Sequence, residues 1–360
     1  MKIVFLVKYY DGFIDSLTRK INTDLSYAEL HDFVINESSN IFAPFVKEMT
    51  KLGHDASIIV PNLEILQRKW CIENGVKFDN NWLINIPKIQ IQKIKPDILF
   101  INSNFEYYGS FLESVNPFVK KTCAWISCPF DKTLNLTNID HIFTLFKPHY
   151  DFFIDKGIST TFTHAAFDSN LLGHLPKEKE HELTFVGGIG GYHKNREFIL
   201  KKLIQKTPIK IWGYGFVSKN PIKNVLKQIK SGFIYKNAFQ GEAWGMDMLK
   251  ILSKSKITIN VHGDIAKGHS VNMRMFEATG VGTLLLTEYT DDISNFFEPN
   301  KEIICYTNAE DAVKKINYYL KHDSERKKIA KAGQKRTLEN YTYQKLSKEY
   351  INIFKTLLRR

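Results

Sequence analysis

The chain has 360 residues, 43% of them hydrophobic and 24% charged, which is enough for two domains with separate cores and excludes a disordered or fibrous protein. No apolar run approaches the roughly 18 residues that span a bilayer, and Met1 to Val7 is strand-sized rather than a signal peptide, so the cytoplasm is the expected compartment. A net charge of +12 asks for an anionic partner, but the lysines are spread along the chain without a nucleic-acid motif, so nucleic acid is not expected; an anionic glycan or a peripheral seat on the inner membrane face fits, as does a lysine-rich AT-biased genome.

Lys2 to Val7 reads as an apolar strand feeding a polar loop with Asp11 and Gly12, at the sheet edge where ligands bind. Ser26 to Leu52 is mostly helical and stops at Gly53, before a strand from Ala56 to Val60. Helices follow near residues 63–74 and 82–94, and Pro96 and Asp97 introduce the buried strand Ile98 to Ile101 with an exit loop through Glu106. Thr122 to Ile126, Ile139 to Thr144 and Thr160 to Thr163 continue the pattern, with Asp131 and His164 in exit loops and a helix between Lys147 and Gly157. Short strands alternating with helices predict right-handed crossovers and a parallel sheet, so residues 1–170 form one Rossmann-like domain. It has no G-x-G-x-x-G fingerprint and is not read as the nucleotide-binding half. Cys71, Cys123, Cys128 and Cys305 lack the paired spacing of a zinc site and read as reduced structural thiols.

Residues 171–181, rich in charge and containing Pro176, read as a linker to a second domain over 182–341. Its first strand, Glu182 to Val186, runs into G-G-I-G-G-Y-H-K-N-R, where Gly187 and Gly188 let a phosphate or sugar approach the backbone and Lys194 and Arg196 supply cations. A second strand, Ile209 to Trp212, ends in Gly213, Tyr214 and Gly215 at the same edge. The segment Gly232 to Gly245 holds Tyr235, Phe239 and Trp244, suited either to stacking on a base or to covering the sheet, and a helix over 243–253 follows.

Lys256 to Glu288 then reads as strand, polar loop, helix, tight turn and strand. Asn260, His262 and Asp264 end its first strand. Gly268, His269 and Ser270 lie at a helix start, where backbone N–H groups and the helix dipole favour an anion. Arg274 and Glu277, three residues apart, share a helix face: a cation for phosphate and a carboxylate for a ribose diol. The same spacing fits an ordinary βαβ unit with a solvated Arg–Glu pair. A strand at Ile303 to Tyr306, helices over 309–322 and 324–339, and an amphipathic helix within 342–360 complete the chain.

The segment E-A-T-G-V-G-T-L-L-L from Glu277 resembles the donor site of GT-B glycosyltransferases, in which such a Glu binds the nucleotide ribose. Retaining members carry a second Glu eight residues earlier, where this chain has His269. N-x-R-x-F-E, Asn272 to Glu277, is closer to the CgeB-type branch, as are S-Y-A-E-L, L-G-H-D-A, L-Q-R-K-W and K-P-D-I-L-F in the first half. The resemblance implies a GT-B fold of two Rossmann-like domains facing a cleft, with the final helix crossing back to the first. It also implies a first domain for the acceptor, a second for a nucleotide-sugar donor, and transfer to a glycan, lipid-linked or protein acceptor in bacterial glycoconjugate synthesis. A non-catalytic sugar- or nucleotide-binding scaffold and a sugar-nucleotide epimerase share that architecture.

Such transfer needs the departing diphosphate stabilised and, if it inverts, a base for the acceptor hydroxyl. GT-B enzymes use helix N-termini and cations for the first need. The chain has no Asp-x-Asp, Asp291-Asp292 reads as a helix N-terminus, and neither metal nor cofactor is expected. Asp11 leads as base, ahead of His31, Glu106, Asp131 and His164. His269 and Arg274 join it as catalytic candidates, and Gly187, Gly188, Arg196, Gly213, Tyr214, Gly268, Ser270, Asn272 and Glu277 complete the expected donor site.

Overall fold

Lys2–Leu6 (β1) is a short, almost wholly apolar strand, as a strand covered on both faces must be. It belongs to a computed structural model that describes residues 1–38, 42–189, 194–215, 237–270 and 272–360. These divide into two units, Met1–His164 with Tyr343–Arg360, and Ala165–Thr342.

In the first unit β1 is followed by helices Asp11–Thr18 (α1), Tyr27–Glu37 (α2) and Ala43–Lys51 (α3), strand Asp55–Ile59 (β2), and helices Glu64–Asn74 (α4) and Trp82–Ile94 (α5). Strand Ile98–Ile101 (β3), helix Ser110–Val115 (α6), strands Lys121–Trp125 (β4) and His141–Thr144 (β5), helix Lys147–Asp155 (α7) and strand Thr160–Phe162 (β6) come next. The S-Y-A-E start of α2 is a capping box: the Glu29 amide donates to Ser26 Oγ at 3.3 Å, and the Ser26 amide donates to the Glu29 carboxylate at 2.9 Å. The strands pair in parallel in the order β2-β1-β3-β4-β5-β6. Strand order reverses at β1, so the ends of β1 and β3 frame the crevice where ligands enter such sheets.

The second unit contains strand His181–Val186 (β7), helix Lys194–Lys206 (α8), strand Ile209–Trp212 (β8), helix Gly245–Ser253 (α9), strand Ser255–Asn260 (β9) and helix Met273–Gly280 (α10). Strands Leu284–Glu288 (β10) and Ile304–Tyr306 (β11) and helices Ala309–Lys321 (α11) and Asp323–Asn340 (α12) follow. The parallel order is β11-β10-β9-β7-β8, which puts the reversal between β7 and β9. Leu171 and Leu175, in the charge-rich stretch 171–181, are buried inside this unit with Met248, Leu249 and Leu252.

The last helix, Tyr343–Leu358 (α13), belongs to the first unit. Its amphipathic face buries Tyr350 on Phe143, ring centroids 4.2 Å apart, and Phe354 beside Phe100. Aromatic pairs of this kind add roughly 0.5–1.5 kcal/mol each beyond their buried area. Among the described residues no helix is long and apolar enough to cross a membrane.

Candidate functional site

At the reversal between β7 and β9 two arginines of the second unit, Arg196 and Arg274, bond to the strand ends. Arg274, in the first turn of α10, donates from Nε to the Val186 carbonyl at the end of β7 (3.1 Å) and from Nη1 to Glu277 (2.7 Å) and the Met248 sulfur (3.0 Å). The expected pair on one helix face is therefore formed, and it is buried: Glu277 is 2% exposed and the Arg274 side chain 15%. Arg274 Nη2 makes no hydrogen bond among the described residues and is the donor left for an anion.

Asn272 caps α10 by accepting from the Met275 amide at 3.3 Å, and its own amide donates to Asn260 at the end of β9 at 2.7 Å. Helix start and strand end are thus tied together. The N–H groups just before the cap, expected to be open to an anion, are in part taken. Lys267 and Gly268 both adopt positive φ, the loop folds back, and the His269 amide donates to Ala266 at 2.9 Å. The Ser270 amide donates to Asp292 at 2.8 Å, and Asp292 also pairs with His269 Nδ1 at 3.1 Å. Asp292, read from sequence as a helix start, thus uses its carboxylate on this loop and makes no side-chain cap. Burial pushes its carboxyl upward, but bonds from the Ser270 amide, Thr290, His269 and the Ser270 hydroxyl outweigh this and hold it low.

Arg196, expected to face a phosphate, turns inward from α8. It is 9% exposed and donates to the Gly188 carbonyl at 2.6 Å and the Val261 carbonyl at 2.8 Å, bracing the ends of β7 and β9. Burial without a directly bonded carboxylate lowers its pKa to about 10. Next to it, His262 is 7% exposed; its amide donates to Glu288 at 2.6 Å and its Nδ1 has no partner among the described residues. Burial pushes its pKa down to about 4 and pushes the Glu288 carboxyl up.

The glycines of the two exit loops serve each other. Gly187 donates to Trp212 at 2.9 Å and Ile189 to Tyr214 at 3.0 Å. A Cβ on Gly213 would lie 1.8 Å from the Gly187 oxygen, and one on Gly188 would lie 2.3 Å from the Tyr214 ring. That ring stacks on Trp244, centroids 5.4 Å apart and 12° from parallel, and remains partly exposed. Gly190, Gly191 and Tyr235 lie outside the described residues.

In the first unit Asp11 is exposed in the first turn of α1, directly after β1. Glu106 is ion-paired to Lys8 at 2.6 Å, His31 Nε2 donates to the Ile58 carbonyl at 2.8 Å, and Asp131 accepts from the Thr133 amide and hydroxyl. His164 is the last residue before the chain enters the second unit. Among the described residues no group of three His, Cys, Asp or Glu side chains is placed to hold a metal ion. Sequence reasoning missed Glu288 and the role of Asp292, whose partners lie more than 20 positions away.

Residues 195–352 match the profile of the glycosyl transferase-like family. No curated protein sequence matches the chain. Among solved structures it is similar to a glycosyltransferase from Rickettsia africae, 13% identical with a TM-score of 0.61 over 100% of this chain and 99% of that one. It is similar to HepE of Anabaena crystallised with UDP-glucose, 10% identical with a TM-score of 0.64 over 99% and 100%. Sucrose-phosphate synthase from Thermosynechococcus elongatus is 8% identical, with a TM-score of 0.59 over the full length of both chains. At these identities the likeness is one of fold.

Proposed function

We propose that the chain, whose residues 195–352 match the glycosyl transferase-like family and whose fold is that of GT-B glycosyltransferases, is a glycosyltransferase that moves a sugar from a nucleoside-diphosphate sugar to a glycan, lipid-linked or protein acceptor in bacterial glycoconjugate synthesis. The observation that carries this is the Arg274–Glu277 pair at the β7/β9 reversal, with Arg274 Nη2 unoccupied among the described residues. A guanidinium there faces the diphosphate and gains strength as charge grows on the leaving group, while the carboxylate holds the ribose hydroxyls. The second unit is then the donor unit. The first brings the acceptor and, for an inverting reaction, Asp11 as the base. The reaction runs in the cytoplasm without a divalent ion or other cofactor, and the +12 charge favours a peripheral seat on an anionic membrane when the acceptor is lipid-linked.

The test is a thermal-shift panel of sugar nucleotides, starting from UDP-glucose because HepE holds it, followed by transfer assays in EDTA. A donor at about 100 times its Kd should add roughly 2.7 kcal/mol of stability. Sugar should then pass to an acceptor, or slowly to water, with the chelator present. Binding without turnover would make the chain a scaffold, and reversible interconversion of the donor would make it an epimerase. Activity lost in EDTA and restored by manganese would overturn metal independence.

A further inference from the structure

His269 stands three residues before Asn272, the cap of α10, with 36% of its side chain exposed and Nδ1 held 3.1 Å from an Asp292 oxygen. The other Asp292 oxygen accepts the Ser270 amide at 2.8 Å, so the carboxylate is clamped from the main chain and cannot swing away from the ring without losing that bond. The Ser270 and Thr290 hydroxyls bond to each other beside it and close the turn. A carboxylate only accepts, so Nδ1 must carry the hydrogen, and in the neutral ring Nε2 is left as a lone pair. Nε2 has no partner among the described residues. An acceptor at that position does not suit a phosphate oxygen. It suits a hydroxyl.

We propose that Asp292 is a positioning residue that fixes His269 so that Nε2 accepts a hydrogen bond from a hydroxyl of the bound sugar, making this pair the part of the donor site that senses the sugar rather than the nucleotide. The inference rests on the glycosyl-transfer reading. Asp292→Asn keeps an oxygen for the Ser270 amide but turns an N–H toward the ring. That reverses the tautomer, and Nε2 then donates where it should accept.

Calorimetric titration of UDP and UDP-glucose, or the matched pair for whichever donor the panel selects, tests this on wild type, His269→Ala, Asp292→Asn and the double variant. Each single variant should bind the sugar nucleotide about two- to tenfold more weakly, the range for one neutral hydrogen bond, with the affinity for the nucleoside diphosphate unchanged. In the His269→Ala background Asp292→Asn should add nothing, as expected when one residue acts only through the other. Equal weakening of both ligands, or a full Asp292→Asn effect without the histidine, would overturn the proposal. Should Asp292→Asn fail to fold, His269→Ala alone decides, since the loss must still be confined to the sugar nucleotide. A wild-type protein that binds no ligand of the panel would remove the glycosyl-transfer reading itself, and the pair with it.

Discussion

Glu277 has almost no contact with solvent, and that changes what its replacement does. Glu277→Ala strands the Arg274 guanidinium in a largely buried setting, and breaking a buried pair by removing one partner costs about 3–5 kcal/mol. At 2–4 °C per kcal/mol for a domain of 150–250 residues, the melting temperature should fall by at least roughly 6 °C, and donor affinity should fall tenfold or more with it. Arg274→Ala should lower turnover more than donor affinity, because a cation on the leaving diphosphate matters most in the transition state. Melting curves, titration and initial rates together check this; an Arg274→Ala enzyme with normal turnover would leave the pair a purely structural one. In the first unit, Asp11→Asn should reduce turnover by roughly 10²- to 10⁴-fold with little change in donor affinity if the reaction inverts. An undiminished rate would move the role of base to His31, Glu106, Asp131 or His164, of which Glu106 would have to leave Lys8 to take it.

At the scale of the elements, two glycines with the same φ of 84° make a controlled comparison. A Cβ on Gly268 would meet nothing within 4 Å, whereas one on Gly215 would lie 2.2 Å from the Ile189 carbonyl oxygen. Gly268→Ala should therefore cost only the left-handed backbone penalty of roughly 1–2 kcal/mol. Gly215→Ala must also push the two exit loops apart, moving Tyr214 off Gly188, so urea unfolding and nucleotide titration should both show the larger loss there. Equal effects at the two sites would mean that the loops are not held by this contact. The strands, the helices and the pairing of Arg274 with Glu277 were legible in the sequence because they depend on spacings of two to four residues. The inward turn of Arg196 was not, because its carbonyl partner on Val261 lies 65 positions away, and neither was the clamp of Asp292 on His269 and Ser270. The mutual packing of the two glycine-containing exit loops was hidden for a similar reason: one loop alone does not reveal that a second loop packs into the space its missing side chains leave.

For the molecule as a whole, each unit buries a histidine that must stay neutral. His141, in the first, has its ring nitrogens on the Ser159 and Thr161 hydroxyls at 2.8 Å each, and His262, in the second, has Nε2 3.3 Å from the Thr287 hydroxyl and an Nδ1 with no partner among the described residues. Burial lowers both to about 4; Arg360 adds to the effect at His141, while at His262 Asp292 opposes it and Arg196 adds to it. Unfolded, each ring takes up a proton below about 6.5, whereas the folded protein does so only near 4, so over that window the unfolded state binds more protons and stability falls as the pH is lowered. The contribution is complete above about pH 6.5, is lost on the way to 4 and changes no further below it, at most about 3 kcal/mol per histidine. Glu288 works in the opposite sense, since its raised folded pKa makes the fold lose stability as the pH rises through the carboxylate range. The histidine contribution is therefore read as a difference between proteins. In calorimetric melts from pH 7.5 to 4.5, wild type should lose stability faster than His262→Gln and His141→Gln, so that each variant's deficit at neutral pH narrows as the pH falls. Curves that stay parallel for both variants would mean that neither ring is held neutral by the fold.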